Sequence, residues 1–196
     1  MAEPRVKGSL VLGAVLAIRK RMKTGQISAE QLEKRLSPEA IELLDDTIRV
    51  ASWYPMRQMA ELLDLDWEIG ADRAPEYQRN SGRNTADHFA KTGLYQQVDF
   101  AKRNRSAETL DDVLRQSRLV CTLTSTLYDF VSARAEIEDG KKLQIWFGNA
   151  RDFPEALRYS TEGFLNEMTQ RKKRLWTSRR AEPDLIVFTL DIRPRG

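Results

Sequence analysis

Apolar residues recur at helical spacing over the first half of the chain and at every second position over parts of the last third. Leu10, Val11, Ala14, Val15, Ile18 and Met22 fall on one stripe, widened by Leu12 and Leu16, and predict a first helix. Lys20, Arg21 and Lys23 suit its last turn, and Gly25 is a natural stop. Ser28-Ala29-Glu30-Gln31 has the spacing of a capping box and starts a second helix through Leu36. Ser37-Pro38-Glu39 starts a third, with proline at the tolerated first position and Ile41, Leu44 and Ile48 on one face. Trp53-Tyr54-Pro55 breaks the chain, because the residue before a proline avoids helical angles. A fourth helix carries Met56, Met59, Ala60 and Leu63, and residues 66–75 read as a loop. Pro75 to Thr92 has helical spacing with a polar first half and Gly82 inside it, and Gly93 ends it. Leu94–Lys102 is a further helical candidate. Ser106 caps a long helix through Leu123, with Leu110, Val113, Leu114, Ser117, Val120 and Cys121 on its buried stripe.

After Ser125 the period changes to two. In Leu127–Ile137 the positions Val131, Ala133, Ala135 and Ile137 are apolar and alternate with Ser132, Arg134 and Glu136. Asp139-Gly140 predicts a tight hairpin turn, since both residues tolerate positive φ. Leu143, Ile145 and Phe147 then alternate with Gln144 and Trp146. A helix follows from about Pro154 to Gln170, with Gly163 inside it for close packing on the sheet. A second hairpin joins Lys173–Arg180 to Leu185–Ile192 across Glu182-Pro183-Asp184. The expected fold is therefore α+β: an N-terminal helical bundle packed on a C-terminal four-stranded antiparallel sheet of ββαββ order. It forms one domain over residues 1–196, with a helical layer at 1–125 and a sheet layer with one helix at 126–196.

Charge sharpens this picture. The net charge is +3, yet acids outnumber bases by more than two to one over residues 28–76, and bases outnumber acids over 140–196. An acidic helical end and a basic sheet end favour oriented association with a charged partner. The single cysteine, Cys121, excludes an internal disulfide and cysteine-based zinc, which suits a cytoplasmic setting. The run Gly8 to Ile18 is too short to span a bilayer about 30 Å thick, and it ends in bases without a cleavage site.

Few residues carry candidate chemistry. His88 is the only histidine, so a histidine metal cluster is excluded, and no Gly-x-Ser-x-Gly elbow is present. Neither glycine-rich phosphate motif occurs. Cys121 lies on an apolar stripe, which argues for an inert thiol. Arg171-Lys172-Lys173-Arg174, with Trp176, Arg179 and Arg180, forms a basic patch that could hold phosphates and stack a base. The same residues also suit a solvated helix end and strand edge. Trp53 and Tyr54 could line a pocket or anchor a corner.

Val6-Lys7-Gly8-Ser9-Leu10, Trp53-Tyr54-Pro55 and the ββαββ ending together resemble an uncharacterised bacterial domain family with many myxobacterial paralogues. That family is similar to the heme–nitric-oxide-binding domain, the four-vinyl-reductase-like domain and the TRAPP trafficking subunits. The resemblance implies helices on a four-stranded antiparallel sheet, with a ligand pocket between the layers in some relatives. Heme relatives hold iron through a histidine on the helix before the sheet, and a Tyr-x-Ser-x-Arg motif holds the propionates. Here the helix from Ser106 to Leu123 has no histidine and Tyr128-Asp129-Phe130-Val131-Ser132 does not give the motif, so no cofactor is expected. The expectation is a non-enzymatic sensor or interaction module. It would bind a protein partner or a small apolar ligand, with Trp53, Tyr54, His88 and Cys121 as candidate contacts. Nucleic-acid or anionic-surface binding through the basic sheet end is the alternative, and a homodimer through the helical face is suggested by the relatives.

Overall fold

A computed structural model describes residues 3–92, 110–169 and 175–192. A short strand β1 (Arg5–Lys7) leads into α1 (Gly8–Lys23), α2 (Ala29–Arg35) and α3 (Pro38–Asp45). Strand β2 (Trp53–Pro55) precedes α4 (Met56–Ala71) and α5 (Pro75–Thr92). Then come α6 (Leu110–Leu127), β3 (Ser132–Glu138), β4 (Lys142–Gly148), α7 (Glu155–Thr169), β5 (Thr177–Glu182) and β6 (Leu185–Asp191). The four strands β3-β4-β6-β5 make one antiparallel sheet, as the alternation implied, and the α+β expectation is met.

Local chemistry explains most boundaries. Ser28 caps α2 in a reciprocal capping box with Gln31, a device contributing about 1 kcal/mol, and Ser37 caps α3 with Pro38 in its first turn. Asp139 and Gly140 both take positive φ in the β3–β4 turn, which matches the twist of the two strands. Core-facing Leu143, Ile145 and Phe147 of β4 sit beside Ile186, Phe188 and Leu190 of β6, all six essentially inaccessible to solvent. Phe147 meets Phe188 and Phe153 edge-on at 5.0 and 5.6 Å.

Several boundaries differ from the expectation. Residues 66–71 are not loop but the end of α4, because Asp66 and Trp67 are buried. Asp66 accepts from Arg21 of α1 at 2.6 Å and from the Tyr77 hydroxyl of α5 at 2.9 Å, while Trp67 Nε1 donates to Ala74 O. Burial works against the Arg21 charge, but Asp66 and Tyr77 more than offset it and hold the guanidinium pKa above its ordinary value. The α6 helix runs on to Leu127, two residues past the expected switch, with the Tyr128 N–H bonded back to Thr124 O, and β3 starts only at Ser132. Trp53-Tyr54-Pro55 is a strand paired antiparallel with Arg5–Lys7, a ribbon too short to show a period. Leu94–Lys102, the Ser106 cap and Gly93 lie outside the described residues, as does the start of the expected Lys173–Arg180 strand; β5 begins at Thr177.

Gly163 also serves a different neighbour. Its missing side chain faces the backbone of Arg79 on α5 rather than the sheet, and Gly82 of α5 faces the backbone of Ser160 on α7 in the same way. A Cβ at either position would meet a carbonyl oxygen far inside van der Waals contact. The helices α5 and α7 thus make the most extensive helix–helix contact among the described residues. Around this crossing, Arg79 Nε donates to buried Glu162 at 2.6 Å, and Glu162 accepts from the Ser178 hydroxyl on β5 at 2.6 Å. Helix, helix and sheet are tied at one carboxylate.

Two stability outcomes follow, both read by chemical denaturation. Gly163→Ala and Gly82→Ala should each cost about 3 kcal/mol through overpacking against backbone, whereas Gly13→Ala, with open space around its helical position, should gain about 0.5–1 kcal/mol. Asp66→Ala should cost about 3 kcal/mol, because it strands the buried Arg21 guanidinium.

Candidate functional site

The region between the layers is bounded by α6 and the core face of the sheet. Helix α6 buries Val113, Val120, Leu123 and Leu127, and Leu114 and Cys121 pack half-buried against the same core. Its buried face also holds two hydroxyls that bond to the helix itself, Ser117 to Val113 O at 2.9 Å and Thr124 to Val120 O at 2.9 Å, and Gln116, whose Oε1 has no hydrogen-bond partner. This back-bonding satisfies hydroxyls at depth without outside partners. Burial pushes the Cys121 thiol up to about 11, against a weaker opposing effect from a backbone hydrogen bond. The group is a thiol, not a thiolate, at neutral pH.

The C-terminal end of α6 is fastened to the ribbon. Asp129 accepts from the Arg5 backbone N–H at 2.7 Å and from Arg5 Nε at 2.6 Å, and Val6 bridges to Tyr128. Trp53 and Tyr54 stand on this same ribbon. The Lys7 ammonium lies over the Trp53 ring, 4.0 Å from its centroid, and bonds to Ala51 O. The Tyr54 hydroxyl accepts from the Arg49 N–H at 2.9 Å, and a Cβ on Gly8 would collide with Tyr54 and the Arg49 carbonyl. Both aromatics are half-buried in the corner between the start of α1 and the start of α4.

His88 is exposed on α5, the helix that crosses α7, and Cys121 is half-buried on α6. The basic patch is divided. Arg171, Lys172, Lys173 and Arg174 lie outside the described residues. Arg180 stands opposite the core residue Ile186, just before an irregularity in β5, and donates to Ala150 O, Phe153 O, Pro183 O and Glu155, closing the turn before α7. Arg179 alone of the described pair is exposed. Sequence reasoning missed the Arg21–Asp66–Tyr77 and Arg79–Glu162–Ser178 clusters, whose bonded pairs are 11 to 83 residues apart. The one signal in reach was the acid at Asp66, which falls on the apolar stripe of α4 when the helix is continued.

A cleft of about 150 Å³ opens where α2 meets α4, lined by Gln26, Ile27, Gln31, Lys34, Arg35 and Ile69. It is smaller than an ordinary small-molecule pocket. Its polar groups are engaged: Lys34 with Glu30, Arg35 with Glu68, Gln31 with Ser28 and Gln26 with Arg21. Among the described residues no group of three or more His, Cys, Asp or Glu side chains could hold a metal ion, and no helix is long and apolar enough to cross a membrane.

No protein-family model and no curated protein sequence matches the chain. Solved structures do. An H-NOX protein from K. algicida superposes with a TM-score of 0.61 at 9% identity, over 94% of this chain and 95% of that one. An H-NOX protein from S. oneidensis, in an Fe(II)NO ligation state, gives 0.56 at 12% identity over 96% and 99%. A mutant H-NOX from T. tengcongensis gives 0.57 at 11% identity over 96% and 98%. At such identities the shared feature is the fold.

The α6 helix, which faces the sheet, does not fit heme: its only candidate ligand is Cys121. An axial ligand to heme iron is an imidazole, thiolate, thioether or phenolate. The only imidazole, His88, is exposed on α5; Cys121 is held as a thiol; and the Tyr128 ring is packed edge-on against Phe130 and Phe153 at 6.1 and 5.2 Å. The protonated state of Cys121 gives a direct outcome. Alkylation of the native protein at pH 8 should run roughly a hundredfold below that of a free thiol, since two pKa units separate them. The stability associated with the thiol is present below pH 9 and is lost as pH rises toward 11; mass-spectrometric labelling with and without denaturant reads the first effect.

Proposed function

We propose that this protein is a non-enzymatic sensor or interaction module, regulatory in role, which takes a small apolar ligand or a protein partner at the junction of its helical layer and its sheet. The observation that supports this most is the pairing of an H-NOX-like arrangement along nearly the whole chain with an α6 stripe that offers iron no ligand. The solved relatives include H-NOX proteins in an Fe(II)NO ligation state and in an oxygen complex. A shared ligand-sensing arrangement, with different occupant chemistry, is consistent with both facts. Cys121 and Leu114 are the half-buried groups on α6 that an apolar ligand would meet. Trp53 and Tyr54, on the ribbon fastened to the end of α6, would carry a change there to α1 and α4. No catalytic role is assigned to His88.

Native mass spectrometry and absorption spectroscopy of the purified full chain, before and after added hemin, test this. The expected result is a retained organic adduct or a stoichiometric complex with a protein, and no Soret band of ligated heme under either condition. A sharp Soret band would contradict the proposal, as would a bare monomer that takes up no ligand from a hydrophobic small-molecule library. The subunit count from the same spectrum decides whether the chain is a homodimer.

A further inference from the structure

The four-stranded sheet ends in two edges, β3 and β5, and only β5 is protected. Strand β5 shifts its register between Arg180 and Glu182 and runs into Pro183, two devices that keep an edge from pairing further. Strand β3 has neither. It keeps an unbroken register with β4 over its whole length, Ser132 to Glu138, and among the described residues no strand pairs with its other side. A regular, open edge is a template for another strand.

The alternation of the ladder assigns the backbone groups at that edge. Ile192 N–H donates to Lys141 O, so odd-numbered positions along β4 turn their polar groups to β6 and even-numbered ones turn to β3. In the β3–β4 register even meets even, Glu138 with Lys142 and Glu136 with Gln144. The outward N–H and C=O groups of β3 therefore belong to Ala133, Ala135 and Ile137. Their side chains stand beside Phe147, Ile145 and Leu143 on the core side, yet they are only half-buried where those three are essentially inaccessible. On the other face Arg134 and Glu136 alternate, their side chains 67% and 51% exposed, with a long ion pair of 3.7 Å between them.

We propose that β3 pairs antiparallel with β3 of a second copy of this chain, about a two-fold axis at Ala135, joining two four-stranded sheets into one continuous sheet. In this register Ala135 meets its own counterpart, Ala133 meets Ile137, and Arg134 meets Glu136. The outward groups of Ala133, Ala135 and Ile137 exchange N–H···O bonds across the axis. Arg134 and Glu136 fall on non-hydrogen-bonded pairs, where side chains approach more closely, and the two-fold brings opposite charges together twice. Sliding one strand by two residues sets Arg134 against Arg134 or Glu136 against Glu136 at the axis, so charge favours the register centred on Ala135. A strand of the same sequence supplies this complement by symmetry, which an unrelated extended segment does not. The contact uses the sheet edge, not the helical layer, and is independent of any ligand between the layers. It is one strand wide, below the roughly 1,200 Å² of a standard interface, so the dimer dissociates on dilution.

Sedimentation velocity of the full chain, diluted from about 1 mM to about 1 μM, tests the proposal over the range where a weak association is read. The expected result is a monomer–dimer equilibrium. Ala135→Pro should weaken it at least about tenfold, because proline removes an outward N–H and is tolerated on an edge strand without disturbing the β3–β4 ladder. Arg134→Glu and Glu136→Arg should each weaken self-association, since each sets like charges opposite one another. Mixed in equal amounts, those two variants should form a heterodimer of wild-type strength, because each supplies the charge the other lacks. Both changes in one chain should restore the homodimer, and Arg179→Glu on β5 should leave the equilibrium unchanged. The proposal is overturned by a monomer at every concentration, by a dimer that Ala135→Pro does not weaken, or by failure of the mixed variants to associate.

Discussion

The backbones of α5 and α7 touch at Gly82 and Gly163, and the distance this sets governs how the helical layer meets the sheet. Any side chain at either position would force the helices apart. With the backbones in contact, Arg79 reaches Glu162, and Glu162 reaches Ser178 on the far strand of the sheet. Arg158 completes the tie, bonding to Ser178 and to Glu155, which also accepts from Arg180. Both arginines that bind Glu155 hold its carboxyl below the usual range even though burial acts the other way. A chain of charges therefore runs from α5 through α7 into β5, and its buried members, Glu162 and Arg158, are the ions that need their neighbours.

This constraint shapes where function can reside. Close packing of α5 on α7 leaves no room for a ligand between them. On the α6 side the buried hydroxyls of Ser117 and Thr124 bond within their own helix and the Cys121 thiol is protonated. The ribbon of β1 and β2 links that region to α1 and α4 through Arg5, Asp129 and the Lys7–Trp53 contact.

Much of the fold was legible from spacing alone. The helical stripe of α1, the caps at Ser28 and Ser37, the Asp139-Gly140 turn and the alternating strands are local devices whose physics is written in adjacent residues. What was not legible depended on distant partners. Asp66 looked like loop chemistry because its cation, Arg21, lies 45 residues earlier. Gly163 indicated close packing, but only the folded chain shows that its neighbour is Arg79 and not the sheet. Arg180 read as part of a basic patch, yet in β5 it stands opposite the core residue Ile186 and bonds to three carbonyls.

The central claim is that the helical layer and the sheet are one mechanical body, joined at the α5–α7 crossing and the Glu162 carboxylate. Native-state hydrogen exchange with residue-level resolution tests this most directly. Amides of α5 near Gly82, of α7 near Gly163 and of β5 near Ser178 should open together, with one free energy and one denaturant dependence equal to those of global unfolding. Opening of α5 at a distinctly lower free energy, while α7 and the sheet stay protected, would contradict the account.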